Sequence, residues 1–338
     1  MKHDPWDFRV AQPTRRQALQ TLAMLATGAF AATAVPESAA LFAASAAEAS
    51  GTDRAFPVTT VNHLNMTSAN YANSRDFYVD LFGMRVSWDD GKQCALEFGD
   101  RTSPNGMYIR PLTKPGEKPT IGHFAFGIPN FMSQKAAMKA EMERRGVRNI
   151  SPDGERGWSC VDAAGFPLNI WVPEKDKAMF PGAAGPCTVA ASEKCKAAWE
   201  AGQKNLHAAA KPSAKGFVAT GFSFIILNVP DLAKERDFYR DLLGMKVASD
   251  RSQVPGGEEC SLRFGKNMLL LRKLGNPADK PYCNRFGFAV NDSADAVEAG
   301  LKRRGLKPEP ESIAPFSWNV FDPDGYQVGV SPYVPTTL

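Results

Sequence analysis

The sequence predicts an α+β protein built from four βαβββ modules, arranged as two tandem copies. Three observations predict this architecture. A long segment of the chain is repeated, the order of strands and helix restarts within each repeat, and apolar and polar side chains alternate in the segments between turns. The predicted domains are residues 57–173, called copy one below, and residues 216–333, called copy two.

The internal repeat is carried by three pairs of similar segments. They are ANSRDFYVDLFGMRV (72–86) with AKERDFYRDLLGMKV (233–247), HFAFGI (123–128) with RFGFAV (285–290), and VDAAGFPLNIWV (161–172) with FDPDGYQVGVSP (321–332). The offset between partners is almost constant from the first pair to the last. A register held over so long a stretch indicates a tandem duplication.

Each copy contains two modules of the same order. In the first module of copy one, a strand at 57–66 precedes a helix at 68–82, which ends at Gly83, a residue type favoured at helix C-termini. The three strands that follow lie near 84–89, 92–98 and 105–112. The pattern then restarts with a strand at 121–128, a helix at 132–146 and strands in 147–151, 158–163 and 166–172.

The segment between the copies, 174–215, is predicted to be a linker. Its first part is rich in turn residues, and its second part is rich in Ala, Glu, Lys and Gln, which favour a helix. Cys187 and Cys195 lie in it, and a disulfide between them is left open as an alternative to two free thiols. Cys94 and Cys260, at equivalent strands of the two copies, are expected to be buried small apolar residues.

Residues 1–49 have the layout of a secretory signal. A cationic start is followed by a short, Ala-rich apolar run and then by small residues, which predicts cleavage near Ala46 or Ala49. Arg15 and Arg16 resemble a twin-arginine signal and predict export to the periplasm or beyond. An uncleaved amphipathic helix or membrane anchor is the alternative, although the apolar run is short for a membrane span.

Charge and cysteine content exclude other classes. The net charge is +4 and the basic residues are spread among acidic ones, without a basic stripe interleaved with aromatics, so nucleic acid is not an expected partner. Six cysteines in 338 residues do not make a disulfide scaffold. The expected partner is a small molecule, with no stable membrane span after the signal is removed.

The modules, the RDFY segments with LGM or FGM after the first helix, and DPDG at 322–325 resemble the vicinal oxygen chelate superfamily. That superfamily includes glyoxalase I, extradiol dioxygenases and bleomycin-resistance proteins. The resemblance implies that paired modules curl into a cup. It also implies that a divalent metal, when present, is held by the first and fourth strands of each module.

Carried onto copy one, the four metal positions of the family are His63, Tyr108, His123 and Asn169. The family usually has Glu at the last position and often Glu or Gln at the second, so this set departs from the pattern at both. Two imidazoles suit Fe, Zn, Mn or Ni, whereas an Asn amide oxygen is a weak, uncharged ligand. Since the other two histidines lie in the leader and the linker, both remaining histidines fall at metal positions. The alternative is that they are hydrogen-bonded interior residues.

Copy two has Phe224, Leu270, Arg285 and Gly329 at the equivalent positions, and these predict no metal there. Arg285 is a possible contact for an anionic ligand in the second cup. The alternative is a structural ion pair with a nearby Asp or Glu.

Four further side chains are candidates for the cup of copy one. Glu97 and Asp162 are possible bases, and Trp158 and Trp171 line either an apolar pocket or the core. No additional histidine is available as an acid or base, which counts against an extradiol dioxygenase of the usual kind.

The resemblance and these residues predict a metal-dependent enzyme of lyase, isomerase or dioxygenase type, acting on a small oxygenated substrate through copy one. The alternative function is non-catalytic binding or sequestration of a small molecule, as in bleomycin-resistance proteins.

Overall fold

The computed structural model describes residues 56–89, 91–100, 105–114, 116–154, 156–172, 216–311 and 317–332. The predicted signal (1–49) and linker (174–215), with Cys187 and Cys195, lie outside the described residues. Within the described part of the chain, no helix is long and apolar enough to cross a membrane.

These residues contain sixteen strands and four helices, joined by turns and loops. The strands of copy one are β1 (Thr60–Ser68), β2 (Arg85–Asp89), β3 (Cys94–Phe98), β4 (Asn105–Pro111), β5 (Ile121–Gly127), β6 (Ser151–Asp153), β7 (Gly157–Val161) and β8 (Pro167–Trp171). Its helices are α1 (Tyr71–Phe82) and α2 (Phe131–Arg144).

Copy two repeats this order. Its strands are β9 (Ala219–Val229), β10 (Lys246–Asp250), β11 (Glu259–Phe264), β12 (Asn267–Lys273), β13 (Tyr282–Val290), β14 (Glu309–Pro310), β15 (Trp318–Phe321) and β16 (Gln327–Pro332). Its helices are α3 (Leu232–Asp241) and α4 (Ala294–Arg303). The predicted α+β fold of four βαβββ modules is therefore confirmed.

Each copy forms one eight-stranded sheet. The strand orders are β2-β3-β4-β1-β5-β8-β7-β6 and β10-β11-β12-β9-β13-β16-β15-β14. Antiparallel pairing of β1 with β5, and of β9 with β13, joins the two modules of each copy at the centre of its sheet. The first and fourth strands of each module are therefore the four neighbouring central strands, which carry the predicted metal positions.

The boundaries of the first helix have local causes. The side chain of Asn70 accepts a hydrogen bond from the backbone N–H of Asn73 and begins α1, while Gly83 ends it with a left-handed φ of 61°. Asn70 therefore starts the helix later than the predicted residue 68.

The sequence predicts a strand at VRNIS (147–151), and only the last residue of this segment is in one. Asn149 has a φ of 58°, outside the extended region, so the backbone turns there. Strand β6 begins at Ser151 and extends to Asp153. This shift places Asp153 inside the sheet instead of in the loop after it.

The two copies share a hydrophobic core. Phe98 of copy one packs against Phe222 and Phe288 of copy two, with ring centroids 5.0 and 5.1 Å apart. Cys94 and Cys260 are buried, as predicted. Leu64 and Met66 of β1 belong to this core together with residues of the helices, whereas His63 and Asn65 alternate with them and lie on the other face of the sheet.

Candidate metal centre

The four predicted positions converge on one face of the copy-one sheet. His63 lies in β1, Tyr108 in β4, His123 in β5 and Asn169 in β8. The Nε2 atoms of His63 and His123 face each other at 3.2 Å. The ring of Tyr108 meets the His63 ring edge-on, with centroids 5.3 Å apart.

The tautomer of His63 is determined by its neighbour, Asn62. The Asn62 amide nitrogen donates to the carbonyl oxygen of Val172 at 3.1 Å, so its oxygen Oδ1 accepts from His63 Nδ1 at 2.7 Å. Nδ1 therefore carries the proton, and Nε2 directs its lone pair at His123. Metal-binding histidines in proteins are commonly oriented by such a hydrogen bond from the other ring nitrogen.

Asn169 presents its amide nitrogen to the histidine pair. Nδ2 donates to Asp153 Oδ2 at 2.6 Å and lies 3.4 Å from His123 Nε2. A carboxylate accepts hydrogen bonds and so determines which amide atom faces it. In this rotamer Asn169 does not present Oδ1 to His123, although the sequence predicts a ligand through that oxygen.

Both histidines favour the neutral form. Burial lowers the pKa of His63 well below its usual value, and the charges of His123 and Arg110 lower it further. Burial and then the charge of Arg110 lower the pKa of His123 to about 4. Neutral imidazole is the form of histidine that binds metals.

Other polar groups surround the pair. Among the described residues, the buried nitrogens Asn65 Nδ2 and Trp171 Nε1 have no hydrogen-bond partner. The Trp171 ring lies edge-on to His63, with centroids 5.6 Å apart. Burial raises the pKa of Tyr108, which keeps its hydroxyl protonated. Arg110 is two residues beyond Tyr108 in β4 and therefore lies on the same face, at its exposed end.

These residues fit a divalent metal in part. A separation of 3.2 Å suits two imidazole nitrogens that bind one ion at about 2.0–2.1 Å. Among the described residues, however, no three His, Cys, Asp or Glu side chains come together as a metal site. The two histidines supply half of a tetrahedral ligand set, and in this arrangement of Asn169 the remaining ligands have to come from Tyr108, water or substrate oxygens.

The family model of the Glyoxalase/Bleomycin resistance protein/Dioxygenase superfamily matches residues 60–166 and 221–330. The chain belongs to this superfamily. The two matched regions correspond to the two copies, so both copies are superfamily domains. No curated protein matches the chain.

Solved structures share the fold at low identity. A mutant form of homoprotocatechuate 2,3-dioxygenase from Brevibacterium fuscum has a TM-score of 0.58 and 16% identity, covering 84% of this chain and 74% of that one. The anaerobic complex of the same dioxygenase with 3,4-dihydroxyphenylacetate has a TM-score of 0.58 and 16% identity, covering 85% and 86%. The Mn(II)-bound glyoxalase from Novosphingobium aromaticivorans has a TM-score of 0.56 and 15% identity, covering 81% and 82%.

In the second superfamily domain, Phe224 takes up the space of the metal position. Its ring is 1% exposed and lies so close to Gly287 and Gly329 that a Cβ on either glycine would clash with it. Phe224 also forms a small apolar cluster with Ile226 and Leu270. Copy two thus has an aromatic ring where copy one has its histidine pair, and two glycines leave room for that ring.

Arg285 lies in an ion pair within its own sheet. Its Nη1 is 3.2 Å from the buried carboxylate of Glu311, and its Nε donates to Gln327. Burial lowers the pKa of Arg285, and the charge of Glu311 opposes this change. The structure thus shows the ion pair that is the alternative to an anion contact, and an external anion stays a prediction.

The remaining candidates have separate places. Glu97 forms an ion pair with Arg85 at 3.7 Å. Asp162 accepts a hydrogen bond from Tyr239 at the boundary with copy two. Trp158 donates to the carbonyl oxygen of Lys135 in α2, so it packs against the helix, whereas Trp171 lies in the cup.

Two residues of the centre, Asn62 and Asp153, were not found by sequence reasoning. Neither occupies a metal position of the family, and Asp153 lies beyond the predicted strand at 147–151. The signal that could have found Asp153 is the acidic residue after a proline in both copies, SPD at 151–153 and EPE at 309–311.

Proposed function

We propose that copy one is a metal-dependent enzyme domain that acts on a small oxygenated substrate, with chemistry of the lyase, isomerase or dioxygenase type. The observation that carries this proposal is the contact between His63 Nε2 and His123 Nε2 at 3.2 Å. Because Asn62 directs the lone pair of His63 at His123, the two nitrogens must share a proton or a cation. The metal-binding position of the superfamily and its Mn(II)-bound member support the cation.

His63 and His123 would hold the ion, with Tyr108 as an additional contact and with Asn169 beside it, its amide nitrogen held by Asp153. Fe, Mn, Ni and Zn all suit two imidazoles with oxygen ligands. When bound, such an ion supplies Lewis acidity toward oxygen atoms of the substrate.

The side chains of the cup suit an oxygen-rich substrate. Asn65 Nδ2 and Trp171 Nε1 are buried donors without partners among the described residues, so a substrate oxygen could satisfy them. Beside them, burial raises the pKa of Tyr108 and keeps its hydroxyl protonated. Donors arranged in a buried site stabilise negative charge that develops on oxygen, as in an enolate or oxyanion.

The filled second cup weighs against the alternative of ligand sequestration there. Phe224 is 1% exposed and its ring packs against Gly287 and Gly329, at the place where copy one has its histidine pair. Copy two is therefore proposed to support copy one structurally.

Metal content tests this function. Mass spectrometry of the purified protein, beside the His63→Ala/His123→Ala double variant, is expected to find about one ion per chain in the wild type and none in the variant. No bound metal in the wild type after incubation with Fe, Mn, Ni and Zn would overturn the proposal. Ligand screening for a sequestration protein would then replace activity assays.

Export is proposed on the leader alone. The twin-arginine-like signal with Arg15 and Arg16 supports transport of a folded protein, so a metal could be loaded before export. N-terminal sequencing of protein from the exported fraction tests this, with a start after Ala46 or Ala49 expected. An intact N-terminus in that fraction, or no exported protein, would contradict it.

A further inference from the structure

We propose that Asp153 supplies the negative charge of the metal centre in copy one, acting on it through Asn169. This inference rests on the proposed function and assigns a role to a residue outside the metal positions of the family. Asp153 is a positioning residue in this proposal, because its contact is with Asn169 and not with the ion.

A chain of hydrogen-bonding groups leads from Asp153 through Asn169 to His123. Asp153 Oδ2 accepts from Asn169 Nδ2 at 2.6 Å, and the same nitrogen lies 3.4 Å from His123 Nε2. A carboxylate next to an amide in a buried site determines its orientation and adds negative charge near the ion. Asn169 stands where the family usually has Glu, so the charge missing from β8 is present one hydrogen bond away, on β6.

Copy two has the same arrangement with different residues. In β6, Asp153 pairs with Gly157 and follows Pro152, which pairs with Trp158. In copy two Pro310 pairs with Trp318, and Glu311 follows it and hydrogen-bonds through its backbone N–H to the carbonyl oxygen of Ser317. The two acidic residues therefore occupy equivalent positions.

Glu311 shows where a carboxylate at this position points. It contacts Arg285, the residue equivalent to His123, at 3.2 Å. Its side chain is fully buried and also accepts from Asn319 at 2.7 Å. In both copies, then, the acidic residue extends toward the side chain at the third metal position. Glutamate reaches that side chain directly in copy two, and the shorter aspartate reaches it through Asn169 in copy one.

The two copies thus neutralise the charge of this carboxylate in different ways. In copy two it neutralises a cation that belongs to the protein, Arg285. In copy one the equivalent position holds the neutral His123, and the cation would be the bound metal. This difference follows from the residues present and needs no change in the backbone.

The experiment measures Co²⁺ binding by competition with a chromophoric chelator, together with the visible spectrum of the bound Co²⁺. The proteins are the wild type, Asp153→Asn, and the exchange variant Asp153→Asn/Asn169→Asp. The exchange variant keeps the hydrogen bond and the net charge while moving the carboxylate to β8. Glu311→Gln is the matched control at the equivalent position of copy two.

The expected result is a loss of about 10–100-fold in Co²⁺ affinity for Asp153→Asn, with a changed spectrum. The new amide oxygen in Asp153→Asn can still accept the hydrogen bond from Asn169, so a loss of affinity reports the missing charge and not a lost orientation. Affinity is expected to return in the exchange variant, because the negative charge is again next to the ion. Glu311→Gln is expected to bind Co²⁺ as the wild type does. If Asp153→Asn fails to fold, Asp153→Ser takes its place, because a hydroxyl oxygen can also accept the hydrogen bond but carries no charge.

Wild-type affinity and spectrum in Asp153→Asn would overturn the inference and leave the proposed function standing. A failure of the exchange variant to regain affinity would overturn it as well. No Co²⁺ binding by the wild type would overturn the inference together with the metal-dependent function.

Discussion

The hydroxyl of Tyr78 donates a 2.7 Å hydrogen bond to Asp322, 244 residues later in the chain and in the other copy. The duplication produces the reciprocal contact, in which Tyr239 donates to Asp162 at 3.0 Å. In each case a tyrosine on the first helix of one copy meets the aspartate in the turn before the last strand of the other. The boundary between copies therefore has an approximate two-fold relationship built on one repeated pair.

Removing either tyrosine hydroxyl is expected to destabilise the protein. Tyr78→Phe leaves the buried carboxyl of Asp322 without that donor, and Tyr239→Phe does the same to Asp162. Each change should lower the free energy of unfolding by about 1–3 kcal/mol. Urea denaturation measures this, with Tyr282→Phe, at a half-exposed tyrosine, as the control. Unchanged midpoints in both variants would contradict the role given to these bonds.

The two boundary contacts differ in where the second acidic residue lies. At one, Ser74 donates to Asp324. At the other, the equivalent of Ser74 is Glu235, whose Oε2 accepts from the backbone N–H of Ala164, the equivalent of Asp324. Each contact thus has one additional carboxyl group. Asp324 contributes it from the turn before the last strand at the first contact, and Glu235 contributes it from the helix at the second. Burial raises the pKa of Glu235, and the neighbouring Asp162 carboxyl raises it further.

Glu235 should make stability depend on pH. Its folded pKa lies above its unfolded value of about 4.3, so its stabilising contribution is complete below that pH and is lost as the pH rises toward the folded value. Glu235→Gln resembles the protonated form and removes this loss. The variant is therefore expected to exceed the wild type in unfolding free energy by about 1–3 kcal/mol at pH 8, and by less at pH 5. Denaturation at several pH values measures the difference, with the exposed Glu143→Gln on α2 as the control. A difference that does not grow with pH would contradict the prediction.

Asn62 is expected to control metal affinity through the tautomer of His63. Asn62→Ala removes the acceptor for Nδ1–H, so Nε2 is no longer held with its lone pair toward His123. Affinity for Zn²⁺ should fall about 10–100-fold while the fold is retained. Competition with a chelator measures the affinity, and circular dichroism checks the fold. Ser223→Ala, at the equivalent position of copy two, should leave affinity unchanged, and equal loss in both variants would argue against the tautomer mechanism.

The filled cup of copy two should not tolerate a larger residue at Gly287. In Gly287→Ala the new methyl group would clash with the ring of Phe224, at an expected loss of about 1–3 kcal/mol in the free energy of unfolding. Phe224→Leu shortens that side chain, so the double variant should lose less than the sum of the single ones. Gly275→Ala, where no atom lies within contact distance, is the control. If the losses of unfolding free energy in the two single variants simply add in the double variant, the clash with the Phe224 ring is not the cause of the destabilisation.

The repeat determined the fold from the sequence alone. Its constant register required two equivalent domains, and alternation and helix-end signals placed their strands and helices to within a few residues. The positions His63, Tyr108, His123 and Asn169 followed from the resemblance. The family places its metal ligands on the first and fourth strands of each module, and the repeat located those strands. The error at 147–151 arose because local pattern does not reveal the left-handed turn at Asn149.

The tertiary structure decided which side chains meet across strands. The hydrogen bonds from Asn62 to His63 and from Asn169 to Asp153 depend on rotamers and on strand register, and neither leaves a periodic trace in the sequence. The same is true of Phe224, whose ring fills the second cup because two glycines from neighbouring strands leave it room. Sequence periodicity reports which face of a strand a residue occupies. Only the packing of several strands determines which atoms on that face come within bonding distance.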